Sequence, residues 1–481
     1  MRTYFTRLSH VFAVVGFAAA IVLSPARAQT PNYAATTGFG TYYQPFSADS
    51  PWNTRPVHPQ LGTYQLRKPI YNPGWIPTIG GGSLSLGVFM AKASDPPVTI
   101  YGPAGTSGVG DPDTGTNRTI TLPHWPANVV PASGSDGHAD IVDVSTGILH
   151  SFFQLRNTGG RWTAAMYSWT RIDGIGWGDA VHWSQGARAA GVPPSGGLIR
   201  KHEVNDGASH YKHALAMSLP SQTLANGISS PSYIYPATTA DTHAASHTGG
   251  IPLGARLALP PSFDITAVRS AALRKIANTL KIYGAFVVDT NYDTAFSIYV
   301  ENGAGFNLMP NGWDTAVVDD LELIRSALRQ VVGAAQWVDG NGKTKRPPEL
   351  PGLVSMRGSW ATTGSTSIGP GKFQTWDQAI VFPDTKNRIS QTNYTNLSKV
   401  SWGKPAVGAS MRFKSEATGG ARIRLQVRIG NTVAFDSGFL QNETSVTFRW
   451  PNVAPENATV VLIAESGVNT PSSVRGLLLD N

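Results

Sequence analysis

Nine of the eleven histidines fall between His124 and His247, and the last 130 or so residues carry none. Imidazole is the side chain that titrates near neutrality, so its clustering points to the first part of the chain as the seat of any chemistry. Two constellations stand out. In the first, Asp136-Gly137-His138-Ala139-Asp140 places two carboxylates around an imidazole. On a strand the period of two puts Asp136, His138 and Asp140 on one face, where the acids would orient the ring and set its protonation. In the second, Gly196-Gly197-Leu198-Ile199-Arg200-Lys201-His202-Glu203 is followed by Asn205-Asp206-Gly207 and then by Tyr211-Lys212-His213-Ala214-Leu215. A hairpin through Asp206-Gly207 would bring Glu203 and His213 together as an acid/base pair.

These residues need elements to hold them. From residue 87 to about 259, short apolar stretches alternate with turn signals, which predicts strands. Residues 29–40 are polar and predict a mobile lead, 44–59 a Pro-rich segment along the surface, and 102–117 a long Gly/Asp/Pro loop. Asp264 is placed to cap a helix through Val268, Ala272, Ile276 and Leu280 that stops at Gly284, with a strand at 285–289. A second helix is expected over 317–332, burying Leu321, Ile324, Leu328 and Val331. Residues 341–352 have the composition of a linker. Beyond them, 353–481 alternate apolar and polar residues at the spacing of a β-sandwich, either a carbohydrate-binding module or a plain structural domain. The expected fold class is mainly β with a few helices: a β-rich domain over 29–340 and a C-terminal β-sandwich.

The order D-G-H, G-L-I-R-x-x-E, H-A-L, then Pro252-x-Gly254-x-Arg256-x-x-Leu259 and Leu280-Lys281-x-Tyr283-Gly284 resembles a widespread, largely uncharacterised group of secreted bacterial proteins. The resemblance covers about residues 47–302. It implies a shared scaffold accompanied by polysaccharide-active modules, and no settled reaction.

The N-terminus reads as an export signal, with Arg2 and Arg7, an apolar run at 11–23, and Ala26-Arg27-Ala28 before Gln29. The expected location is secreted or periplasmic, with no membrane association after cleavage. Once the three signal arginines are removed, the formal charge of +8 falls to about +5. No basic run of the nucleic-acid-binding kind is present. There is no cysteine, so neither disulfides nor cysteine zinc sites are available.

The first functional expectation is a carbohydrate-active enzyme that hydrolyses glycosidic bonds in an extracellular polysaccharide, with no cofactor. Asp140 and Glu203 would be its carboxylates, His138 and His213 would shuttle protons, and Asp136 would flank them. The alternative is a lyase acting on a uronic acid-containing polymer. His213 or Tyr211 would then be the base, and Arg200 or Arg256 would hold the sugar carboxylate. A metal hydrolase using His138, Asp140, Glu203 and His213 is a third reading. A non-catalytic glycan binder is a fourth, with Trp125, Trp162, Trp169, Trp177 and Trp183 as stacking platforms. The substrate-binding set is Arg200, Tyr211, Arg256, Trp125 and Trp183.

Overall fold

A computed structural model describes residues 31–68, 75–178, 182–227, 232–292, 294–345, 353–354, 356, 360–374, 379–395 and 405–480. The expected signal at 1–28 lies outside them. The fold is mainly β: the described strands form five sheets, accompanied by two α-helices.

The largest sheet is mixed and supplies the main core. At its centre Leu215–Pro220 and Ala285–Asn291 run parallel, and every residue of the first is buried. Such two-sided burial is what a covered parallel pair requires. Helix α1 (Ala271–Ile282) packs Leu273, Ile276, Ala277 and Leu280 into this core. It starts later than the sequence predicts. Asp264 caps a single 3-10 turn, Ile265–Ala267, and Val268 is extended, so Ser270 becomes the true N-cap by accepting from the Leu273 amide. Gly284 ends it at φ +74, where a Cβ would lie 2.6 Å from the Leu257 carbonyl.

Helix α2 (Thr315–Ala327) is capped by Asp314 and buries Val317, Leu321 and Ile324. It stops five residues short of expectation. Leu328 turns extended, and Arg329–Val338 becomes a ten-residue strand paired with Arg55–Leu61 and Arg256–Ala258. Sheet pairing there overrides a helical repeat that would otherwise run on. Residues 341–345, expected in the linker, instead form the turn and return strand against Trp337 and Val338. The remainder of that segment, 346–352, lies outside the described residues.

A six-stranded sheet and a four-stranded sheet enclose a second core around Phe89, Ile141, Phe152 and Trp125. The 102–117 segment is not a plain loop, because Val109–Asp111 and Thr116–Arg118 form a hairpin within it. Within the expected lead Tyr33 is buried, and in the Pro-rich segment Phe46, Trp52 and Asn53 are buried rather than lying on the surface. C-terminally, two five-stranded antiparallel sheets share one core that includes Trp360, Phe382, Phe413, Leu425 and Leu462, a β-sandwich as expected.

The D-G-H turn depends on its glycine. Gly137 has φ +46, and a Cβ there would sit 1.5 Å from the Arg156 guanidinium, which donates to the Gly134 and Ser135 carbonyls. Gly137→Ala should therefore cost about 2 kcal/mol or more in urea unfolding. Gly115→Ala, left-handed at φ +66 but in open space, should cost only about 1 kcal/mol. Equal costs would show that the Arg156 contact does not matter.

Candidate active site

The chain from 196 to 203 folds into a strapped turn rather than a strand. Gly197, at φ +67, lies against the Trp52 ring and the Ala216 amide, where any Cβ would collide. Ile199 bridges to Val300, after which Arg200 reverses the chain. The Glu203 carboxylate closes the reversal by accepting from the Arg200 amide at 2.9 Å. From the adjoining strand, Glu301 accepts from Arg200 Nε at 2.9 Å and from the Lys201 amide at 3.0 Å. Lys275 on α1 donates to the Glu203 carbonyl at 2.5 Å.

His213 approaches from the segment entering Leu215–Pro220, where the Ala214 amide donates to the Trp52 carbonyl. Its Nε2 lies 3.2 Å from Glu203 Oε1, and its Nδ1 donates to the Ala214 carbonyl at 2.9 Å. The expected pair is present, but the expected hairpin is not. Leu215–Pro220 pairs with Ala285–Asn291 and Ser297–Tyr299 instead.

The pair is an ion pair. Burial alone would lower the His213 pKa, yet the Glu203 charge and hydrogen bond raise it above its ordinary 6.5. Burial would likewise raise Glu203, but His213 and the Arg200 amide hold its carboxyl below the ordinary 4.5. Both shifts favour the charged forms, His213 as an imidazolium with both N–H groups engaged and Glu203 as a carboxylate.

Both residues line a cavity of ≈ 290 Å³ whose wall also carries Tyr43, Asn53, Arg200, His202, Asp206 and Lys212. A second cavity, ≈ 590 Å³, shares Tyr43, Arg200 and His202 with the first and adds Lys92, Asn128, Lys201 and Glu301. His202 donates from Nε2 to the Tyr43 carbonyl at 3.1 Å and meets the Tyr43 ring edge-on. Burial holds its pKa below the ordinary value, so it is neutral at pH 7. Glu301, Asp206 and Lys275 were not singled out for this site in the sequence. Glu301 is a hundred residues away, and only the bridge from Ile199 to Val300 brings it close.

The first constellation lies elsewhere. His138 is buried, with Nδ1 3.2 Å from the Phe152 carbonyl, and burial followed by the Arg188 charge holds its pKa well below 6.5. Asp136 sits in the turn before the strand, half-buried, 3.8 Å from His138 Nε2. Asp140 is fully buried and accepts from the Ser195 amide at 2.8 Å. Burial pushes its carboxyl up to about 6, against hydrogen bonds from Ser195 and Ser151. Neither aspartate lines the cavity that holds Glu203. The hydrolase pair of Asp140 with Glu203 and the four-residue metal set are therefore not assembled. Among the described residues no group of three or more His, Cys, Asp and Glu converges as a metal site.

Three further expectations change. Arg256 is buried beneath Phe286 and Trp337, where it donates to the carbonyls of Pro51, Thr54 and Tyr283. Burial lowers its pKa to about 9. It ties chain segments together. Tyr211 is 2 % exposed beneath Lys275, and burial, with the charges of Glu203 and Asp206, raises its phenol further from use as a base. Among the tryptophans, Trp125 packs on Phe152 and Trp162, Trp177 stacks on Trp52, and Trp169 stacks on His182. Trp183 is half-buried, its amide bound to Asp113. Trp125, Trp162, Trp169 and Trp177 thus serve packing, the commoner use of such rings.

No known protein family matches the sequence, and no curated protein does. Solved structures give short matches. A family 61 carbohydrate-binding module in complex with β-1,4-galactotriose is 12% identical over 21% of this chain and 70% of its own, with a TM-score of 0.15. A family 4 carbohydrate-binding module is 12% identical over 26% and 95%, at 0.16. A family two carbohydrate esterase from Cellvibrio japonicus is 13% identical over 27% and 32%, also at 0.16. Similarity at this level carries no argument about what the chain does.

Asp140 is a structural acceptor in this arrangement. Asp140→Asn keeps an oxygen for the Ser195 amide and should leave urea stability within about 1 kcal/mol of wild type, whereas Asp140→Ala orphans a buried N–H and should cost about 1–3 kcal/mol. An Asn variant as unstable as the Ala variant would mean that the charge itself is required.

Proposed function

We propose that the chain is a secreted or periplasmic carbohydrate-active enzyme that cleaves glycosidic bonds in an extracellular polysaccharide. One observation carries the reading: Glu203, kept ionised by an imidazolium 3.2 Å away, stands on the wall of a polar cavity. A second cavity continues beyond Tyr43 and His202, giving the room that a chain polymer needs.

Of the two routes, the spacing favours β-elimination. Hydrolysis uses two carboxyl groups about 5–9.5 Å apart on either side of the bond. Here an acid and a base stand side by side, which suits removal of a proton and departure of an oxygen from one face of a sugar. The Glu203 carboxylate would take the C5 proton of a uronate. Its electron pair would become the C4–C5 double bond as the C4–O bond breaks. The departing oxygen would take the proton from His213 Nε2, and protonated Glu203 would return its proton to the imidazole across their hydrogen bond. Lys212 and Arg200, on the same wall, would offset the uronate carboxylate, whose neutralisation makes the C5 proton acidic enough to remove. Hydrolysis keeps one supporting feature, the Asp206 carboxylate in the same lining.

The mature protein should be screened against neutral and uronic acid-containing polysaccharides, following both reducing ends and ultraviolet absorbance. New reducing ends with a new double bond are expected. Reducing ends alone would establish hydrolysis, and Asp206→Asn would then be as damaging as Glu203→Gln. Glu203→Gln and His213→Ala should each lower kcat by about 10²–10⁴-fold. Wild-type turnover in either would remove the site assignment.

The pH profile follows from the shifts. Glu203, lowered, stays ionised until pH falls below 4.5, and His213, raised, stays protonated until pH rises above 6.5. Activity should be flat between those values. An acid limb above 4.5 or an alkaline limb below 6.5 in kcat/KM would contradict the ion-pair assignment.

A further inference from the structure

The parallel strands Leu215–Pro220 and Ala285–Asn291 end together, and that edge gathers polar groups for which the cleft has no use. Asp289 Oδ2 lies 3.1 Å from Arg188 Nη1. Arg188 is 3 % exposed, lies 3.9 Å above the Tyr299 ring, and reaches the Leu84 carbonyl with Nη2. Asp136 and Asp241 are close enough for their charges to act on Asp289. Asp136 opens the D-G-H turn, which does not line the cleft.

Two observations point from this cluster to a ligand. Buried Arg188 Nε has no hydrogen-bond partner, nor has Asn291 Oδ1 at the strand end, although such atoms are seldom left unpaired. Large aromatic rings also stand in solvent at the same edge. Tyr292, next after Asn291, is 84 % exposed, and Trp75 is 47 % exposed. A hydrogen bond of 2.8 Å from Thr294 Oγ1 to the Ile76 carbonyl holds their two segments together. Carboxylates beside a guanidinium, with exposed rings nearby, are the groups that hold sugar hydroxyls and stack on sugar faces.

We propose that this edge is a second carbohydrate site, distinct from the Glu203 cleft, which binds a neutral glycan through Asp136, Asp289 and Arg188 with Tyr292 and Trp75 as its stacking platform. Three carboxylates around one guanidinium repel a uronate, so the glycan held here differs from the acidic polymer suited to the cleft. The site rests on the carbohydrate reading for its class of ligand and on none of the Glu203 chemistry.

Calorimetric titration of the Glu203→Gln protein, with cellohexaose, xylohexaose, mannohexaose and hexagalacturonate as probes, tests it. At least one neutral hexasaccharide should bind, and Tyr292→Ala and Asp136→Ala should each weaken it about tenfold. Both substitutions lie at accessible positions, so a thermal melt matching that of the parent separates lost binding from lost fold. His202→Ala, in the cleft, should leave that affinity unchanged. Absence of binding by every neutral probe would overturn the proposal. So would neutral binding that survives both edge substitutions and falls with His202→Ala, an outcome that leaves the cleft reading standing. Equal affinity for hexagalacturonate through Tyr292 would refute the charge argument.

Discussion

Arg200 and Glu301 meet out of water, 3 % and 2 % exposed, and the candidate cleft exists because they do. A guanidinium and a carboxylate removed from solvent are tolerated only with good geometry and with their remaining donors and acceptors filled. The Arg200 Nε–Glu301 contact is 2.9 Å, and further groups on both residues are engaged. Glu301 also accepts from the Lys201 amide, and Arg200 donates to the Tyr42 carbonyl while lying over the Tyr42 ring. Losing either partner would strand a buried charge, at a cost of about 3–5 kcal/mol. The pair therefore fixes the 199–203 turn on the central sheet, and Glu203 is held from both ends of that turn. An exposed ion pair could not do this, because its net worth is about 0–1 kcal/mol.

The segment that supplies Glu301 also meets a second arginine, two residues earlier. Tyr299 lies under Arg188 and Glu301 holds Arg200, and side chains two apart on extended backbone share a face about 6.6 Å apart. The cleft and the strand-end cluster thus flank one short segment, 299–301, which begins at the end of the strand Ser297–Tyr299. Each arginine draws partners from several chain segments, so the polar seam acts as a joint between parts of the fold far apart in sequence.

How much of this was legible in the sequence can be judged from particular residues. The meeting of Glu203 and His213 was read correctly, though from a hairpin that does not form; ten residues apart, the two are close under many loop geometries. Glu301 carried no local signal, because its role is set by a parallel bridge across a hundred residues. The β-sandwich was plain from its alternation, since one face of each strand is buried. Alternation also misled. It groups Asp136, His138 and Asp140 on one face of a strand, but the strand begins at Ala139, after Asp136 and His138, and Ala139–Asp143 is buried on both faces. Tryptophans were misassigned for a related reason. Sequence records the ring and not its surroundings, and Tyr292 and Trp75, which carry no signal in the sequence, are among the rings that stand in water.

The buried acids also set the conditions under which this fold is comfortable. Asp140 and Asp289 are both pushed up to about 6, principally by burial. Their folded forms bind protons that the unfolded chain releases above 3.8, so their contribution to stability declines as pH rises from 3.8 to 6. Glu203 works in the opposite sense, since its depressed carboxyl gives stability that is lost as pH falls below 4.5. His213, raised above 6.5, gives stability that is present below that value and lost as pH climbs past its folded pKa. Above 6.5 both effects therefore run one way: the two aspartates are already ionised at a cost, and the His213 contribution is falling. Below 4.5 they oppose each other, with the Glu203 pair weakening as the buried aspartates become neutral. These shifts together favour the mildly acid side of neutrality for the seam, where Glu203 and His213 both tend to their charged forms.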